Sequence, residues 1–134
     1  MIIFDSSAIY MAISEGKTKQ TAGEYTTMLA MFELGNIVWK KSILARVYSQ
    51  KEALELLKAC EMVLEKMRTS HPNLENIYHV AARCHISFYD ATYVCLAEQL
   101  KAPLVTLDHK LADKVRSFVD IMPLKAFKPK NEFI

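Results

Sequence analysis

Apolar residues fall along this chain in two rhythms. Some form short unbroken runs dense in β-branched and aromatic side chains, such as Ile2-Ile3-Phe4 and Leu104-Val105-Thr106-Leu107. Others recur at three- and four-residue spacing over longer stretches. Runs of the first kind predict strands buried on both faces, as in parallel sheets. Stretches of the second kind predict amphipathic helices. The clearest helix covers residues 50–68, where Ala53, Leu56, Leu57, Cys60, Val63, Leu64 and Met67 make one stripe. Glu52, Glu55, Lys58, Glu61 and Glu65 line its other side. Further helices are predicted from Asp5-Ser6-Ser7 to residue 13, over 28–41, from residue 74 through Ile77, Ala81 and Cys84, over 87–100 and over 110–115.

Between the helices, the polar residues 16–23 predict a loop and Tyr25-Thr26-Thr27 a very short strand. A weakly marked strand is expected at 67–70, just before Pro72, and another at 118–122, closed by Pro123. Gly35 falls inside a helix, where glycine costs about 1 kcal/mol relative to alanine. That cost predicts a close approach by another element. Helices alternating with short apolar strands predict an α/β layered fold with a mostly parallel sheet. It should form a single domain over residues 1–134, with an exposed arm from about residue 124 carrying Lys125, Lys128, Pro129 and Lys130.

Composition narrows the function classes. A chain of 134 residues can bury one core. A net charge of +2 does not by itself demand a nucleic-acid partner. Cys60, Cys84 and Cys95 are odd in number and lie among apolar neighbours, which predicts buried thiols rather than disulfides or a zinc site. His71, His79, His85 and His109 show no metal-ligand spacing. No run approaches the ~20 apolar residues that span a membrane, and Asp5 ends the N-terminal apolar run far short of a signal sequence. The expected location is the cytoplasm, with no membrane partner.

The informative residues are acids placed where acids are costly. Asp5 ends the first apolar run, Asp108 ends a later one, and Asp90 lies in the opening turn of an apolar helix. In open parallel sheets, sites form beyond the carboxyl ends of strands, and right-handed crossovers bring those ends to one side. Each acid also has a plainer reading. Aspartate is a favoured N-cap, and Ser87-Phe88-Tyr89-Asp90 has capping-box spacing. Glu33 lies mid-helix beside Leu29 and Phe32 with Asn36 one turn on. A buried unpaired carboxylate costs several kcal/mol, so Glu33 needs a partner.

Acids gathered in one cleft would raise each other's pKa unless a cation neutralised them. Oxygen ligands without cysteine or histidine favour Mg²⁺ or Mn²⁺ over zinc. Ser6 and Thr106, beside two of the acids, can orient a carboxylate or a water. With a divalent ion, such a site attracts a phosphodiester and can hydrolyse it. Lys40, Lys41, Arg46, Lys110 and Lys114 are candidates for binding flanking phosphates, each equally readable as a solubilising charge. Asp113 reads as a solvated helix residue. A phosphoacceptor signalling domain would also cluster acids at strand ends, but it needs a basic residue ending a late strand. Here those strands end at Asp108 and at Met122-Pro123.

With these residues in view, the chain resembles the PIN-domain family, nearest to the small VapC-type toxin ribonucleases. Asp5-Ser6-Ser7-Ala8-Ile9 resembles the family's opening motif and Phe32-Glu33-Leu34-Gly35-Asn36 its helical glutamate motif. Ser87-Phe88-Tyr89-Asp90-Ala91 resembles the third-acid motif, and Leu104 to Asp108 followed by His109-Lys110-Leu111 the last. The resemblance implies a three-layer α/β/α fold and a site of Asp5, Glu33, Asp90 and Asp108, supported by Ser6, Asn36 and Thr106. It implies Mg²⁺ or Mn²⁺ dependence, endoribonuclease activity on RNA, dimerisation, and a small antitoxin as partner of toxin members. A nuclease of RNA processing, or a non-catalytic RNA- or protein-binding module, is the alternative. The short segment between Gly16 and Tyr25 departs from the family and predicts a reduced second helix.

Overall fold

The computed structural model of the chain describes residues 1–124. Four short strands make its centre, β1 (Ile3–Phe4), β2 (Tyr25–Thr26), β3 (Arg68–Thr69) and β4 (Leu104–Val105). They form one parallel sheet in the order β3-β2-β1-β4, with Ile3 paired to Tyr25 on one side and to Leu104 on the other. The helices are α1 (Ser6–Ser14), α2 (Leu29–Trp39), α3 (Gln50–Glu65), α4 (Leu74–Cys84), α5 (Phe88–Leu100) and α6 (His109–Val115).

Crossovers between parallel strands are right-handed. The path β1-β2-β3 steps one way across the sheet and so puts α1, α2 and α3 on one face. The return from β3 to β4 steps the other way and puts α4 and α5 on the opposite face. The packing agrees, with α2 against α1 and α3, and α4 against α5. The result is a three-layer α/β/α fold with β1 at its middle. Ile3, Phe4, Leu104 and Val105 are fully buried. Such side chains each contribute about 1.5–3 kcal/mol on burial, which is why these strands read clearly from sequence. Seven consecutive residues of α5, Ala91 to Ala97, are also buried, as expected for a helix apolar nearly all round. Cys60, Cys84 and Cys95 are buried free thiols.

Several expectations need correction. The strand expected at 118–122 is reduced to one bridge between Leu104 and Ile121, because the N–H groups of Phe118 and Val119 still bond to Val115 at the end of α6. Among the described residues no element approaches Gly35, and the space beside it is open. The buried line of α2 is Ala30, Leu34 and Val38, and Gly35 lies off it. The helix expected to reach residue 41 ends at Trp39 and continues as a π-turn, Lys40–Leu44, where the Ala45 N–H reaches back to the Lys40 carbonyl. The long helix expected to residue 68 stops at Glu65, since the Arg68 N–H is taken by the Glu24 carbonyl next to β2. The loop after α1 holds a single 3₁₀ turn, Thr18–Gln20, in keeping with a reduced second helix. Leu124, where the exposed arm was expected to begin, is buried, and the rest of that arm lies outside the described residues. Among the described residues, no helix is long and apolar enough to cross a membrane.

Candidate active site

Asp5 leaves β1 in extended conformation and caps α1. Its N–H bonds to the Val105 carbonyl at 3.2 Å, which fastens the end of β1 to β4. Its Oδ1 accepts the Ser7 hydroxyl at 2.6 Å and the Ala8 N–H at 2.9 Å. The Thr106 hydroxyl donates to the same carboxylate. Both hydroxyls also face the chain beyond β4. Ser7 Oγ accepts the Leu107 N–H at 3.0 Å and Thr106 Oγ1 accepts the Asp108 N–H at 3.1 Å. Asp5 is thus bolted to the segment that carries Asp108.

Glu33 projects from α2 and finds the partners that its position requires. Its Oε1 accepts the Ser6 hydroxyl at 3.0 Å and the Tyr93 hydroxyl at 2.6 Å. Tyr93 comes from α5 across the sheet and is 1% exposed. Its oxygen accepts in turn from the Thr27 hydroxyl, and Thr27 Oγ1 accepts the Leu29 N–H at 3.2 Å. The network therefore ties the first turn of α1, the end of β2 and the middle of α5 to one carboxylate.

Asp90 and Asp108 are held more loosely. Asp90 lies in the first turn of α5, where its N–H bonds to Ser87 Oγ at 3.0 Å. Asp108 is exposed and caps α6 through the Leu111 N–H at 3.1 Å. The capping readings of Asp5 and Asp108 are therefore real, and in each the capping hydrogen bond engages Oδ1.

Electrostatics joins the four acids. The Asp5 carboxyl is raised to about 6, by burial first and also by the Glu33 charge, against the pull of Ser7, Thr106 and the Ala8 amide. Asp90 is also raised, by burial first and then by the charges of Asp108 and Glu33. Acids from four distant segments thus act on one another at the carboxyl end of β1 and β4. Among the described residues, no three His, Cys, Asp or Glu side chains close into a ready ligand shell. The donors are nevertheless all hard oxygens, and their mutual repulsion is what a cation would relieve. Mg²⁺ keeps several waters and takes one or two carboxylates, so an open arrangement of Asp5, Glu33, Asp90 and Asp108 fits such an ion chemically.

The supporting residues divide. Ser6 and Thr106 bond directly to site acids. Asn36 is exposed and lines an open groove of about 370 Å³ with Ser6, Leu29, Phe32, Glu33, Ile37 and Tyr89. Of the basic residues, Lys114 acts on the site. Its charge lowers the Asp90 pKa, and its Nζ is 3.2 Å from the carbonyl of His85, the left-handed residue between α4 and α5. Lys41 instead lies 5.5 Å from the centre of the Tyr10 ring. Lys40, Arg46 and Lys110 are exposed. Asp113 pairs with Arg116 at 3.3 Å on the surface, as a solvated helix residue should.

Sequence reasoning missed Ser7, Thr27 and Tyr93 as parts of the site. Tyr93 was within reach, since it lies three residues beyond Asp90 and shares its side of α5. A tyrosine in an apolar helix, however, reads first as core.

Known proteins resemble the chain in sequence and in fold. The family model described as PIN domain matches residues 2–116. The chain is 33% identical over 97 residues to exonuclease VapC9 of Pyrobaculum aerophilum, covering 72% of this chain and 70% of that protein. It is 31% identical over 128 residues to ribonuclease VapC3 of the same organism, covering 88% and 97%. In fold it is similar to PAE2754 from Pyrobaculum aerophilum, with a TM-score of 0.78 at 23% identity, covering 93% of this chain and 90% of that one. VapBC-1 from nontypeable Haemophilus influenzae gives a TM-score of 0.64 at 17% identity, covering 93% and 99%.

Proposed function

The chain belongs to the PIN domain family, and from that premise we propose that it is a Mg²⁺- or Mn²⁺-dependent endoribonuclease, the toxin of a type II toxin–antitoxin pair. One observation carries the reading. Asp5 is an almost fully buried carboxylate at a strand end, and its neighbours at that end are further acids from remote segments. Burying one carboxylate among others is unfavourable unless a cation is part of the working site.

When bound, the divalent ion supplies Lewis acidity to the scissile phosphoryl group and acidifies water at neutral pH. The chain's own residues do the rest. Asp5 and Glu33 present carboxylates fixed by hydroxyl and amide donors. Asp90 and Asp108 would complete the set of carboxylates that holds the ion. Ser6 and Thr106 keep Glu33 and Asp5 in place. Asn36 lies in the groove beside Glu33, where it can bond to RNA. Lys114 and Lys110 on α6, with Lys40, Lys41 and Arg46 beyond α2, are the cations available to flanking phosphates.

The toxin role and the antitoxin partner draw support from the VapC relatives and from the likeness in fold to VapBC-1. Homodimerisation is proposed from an exposed surface. Trp39, Ile43, Leu44 and Val47 expose an apolar surface at and beyond the end of α2, of the kind that marks protein contacts. The cytoplasm is the proposed location.

The decisive experiment is cleavage of RNA by pure protein with Mg²⁺ or Mn²⁺ and with EDTA, wild type against Asp5→Asn. Divalent-dependent cleavage lost in the variant supports the proposal, and equal cleavage by both proteins refutes it. A second reading, exonucleolytic cleavage, is favoured by the name of one relative. A circular RNA separates the two, because an endonuclease opens it and an exonuclease leaves it intact.

A further inference from the structure

Two hydroxyls converge on a single oxygen of Glu33. Ser6 donates to Oε1 at 3.0 Å and Tyr93 donates to the same atom at 2.6 Å. A carboxylate oxygen has two lone-pair sites, so two donors saturate it. Tyr93 is fixed in place, being 1% exposed and itself held by Thr27. Among the described residues no hydrogen bond engages Oε2, so Glu33 keeps one oxygen committed to the protein and one with open coordination sites.

We propose that Tyr93 is a positioning and selectivity residue, which with Ser6 restricts Glu33 to one-oxygen coordination and so biases the site toward small octahedral cations over Ca²⁺. The inference rests on the metal-dependent reading given above. Mg²⁺ takes single oxygens at near-ideal octahedral positions, whereas Ca²⁺ accepts 6–8 ligands and uses both oxygens of a carboxylate where it can. A glutamate with both oxygens free suits the larger ion. One with Oε1 blocked and its orientation fixed suits the smaller. Asp5 differs, since Ser7 and Ala8 both bond to its Oδ1 and Thr106 gives the same carboxylate a third donor. Tyr93 differs from Ser7 and Ala8 in being remote in sequence from both acids and buried in another layer of the fold.

The test is calorimetric titration of Mg²⁺ and of Ca²⁺ into wild-type protein, Tyr93→Phe and Ser6→Ala, with circular dichroism confirming that each variant is folded. Loss of an outer hydrogen bond to a ligand typically weakens metal binding about 10- to 100-fold. Tyr93→Phe should weaken Mg²⁺ binding by about that factor and leave Ca²⁺ binding nearly unchanged, so that selectivity collapses. Ser6→Ala should move the ratio the same way, which keeps the inference testable should Tyr93→Phe not fold. A purely structural role for Tyr93 would weaken both ions in proportion. An unchanged Mg²⁺/Ca²⁺ ratio in the variants, with the wild type binding Mg²⁺, overturns the role of Tyr93 and leaves the metal reading intact. A wild type that binds neither ion overturns both.

Discussion

The acid site has two unequal halves. Asp5 and Glu33 form an inner pair, hemmed in by Ser6, Ser7, Tyr93, Thr106 and the Ala8 amide. Asp90 and Asp108 form an outer pair, each placed by the opening turn of a helix, with Asp108 open to water. The inner carboxylates cannot move without breaking several bonds. The outer ones give up less on turning, Asp108 its bond to the Leu111 N–H and Asp90 its bond to Ser87. The difference separates two tasks: the inner pair is pre-organised, and the outer pair can adapt to an ion, a substrate or product leaving.

If this division is right, the largest effects belong to the inner pair. Asp5→Asn and Glu33→Gln should each lower divalent-dependent RNA cleavage by about 10²- to 10⁴-fold. That is the loss of several kcal/mol of metal-supplied charge stabilisation, at about 1.4 kcal/mol per tenfold in rate. Asp108→Asn keeps the cap and should cost activity by a visibly smaller factor. Equal losses at both positions, measured under single-turnover conditions, would erase the distinction between the halves.

Stability should run the opposite way. The Asp5 carboxyl is raised from 3.8 to about 6. Protonation is thus favoured by folding, and the stability it brings is full below pH 4 and lost as pH rises through 6. That loss amounts to roughly 3 kcal/mol without metal. Asp5→Asn should therefore melt above wild type at pH 7.5 in EDTA, and the gap should close at pH 4. Mg²⁺ at about one hundred times its Kd should restore about 2.7 kcal/mol to the wild type and far less to the variant, as read by differential scanning calorimetry.

Smaller shifts belong to the outer pair. The Asp90 pKa is raised in the same direction, but solvent screens a half-exposed group. Asp90→Asn should raise the apo melting temperature less than Asp5→Asn does. A fall instead would mark Asp90 as chiefly a helix-cap residue. Asp108→Asn, exposed and still able to cap, should change stability by no more than about 0.5 kcal/mol.

The same contrast explains what could be read from the sequence. β1 and β4 are buried on both faces, so their apolar runs stood out and led directly to Asp5 and Asp108. Asp90 was legible from the cap at Ser87. β3 is an edge strand with Arg68 and Thr69 both exposed, so burial left it no apolar signature. Glu33 announced itself as a carboxylate needing a partner, but the partner could not be named. Tyr93 reaches it from the opposite helical layer, a contact set by crossover handedness rather than local pattern. Gly35 misled because a helical glycine has the same cost whether it faces a neighbour or open space.

We propose that the four remote acids together hold the divalent metal, whether one ion or two. Anomalous scattering from a crystal soaked in Mn²⁺ tests it most directly. The account predicts a peak among Asp5, Glu33, Asp90 and Asp108, with the contact to Glu33 made through Oε2. Saturating Mn²⁺ with no peak there, in crystals of protein that still cleaves RNA, would contradict it.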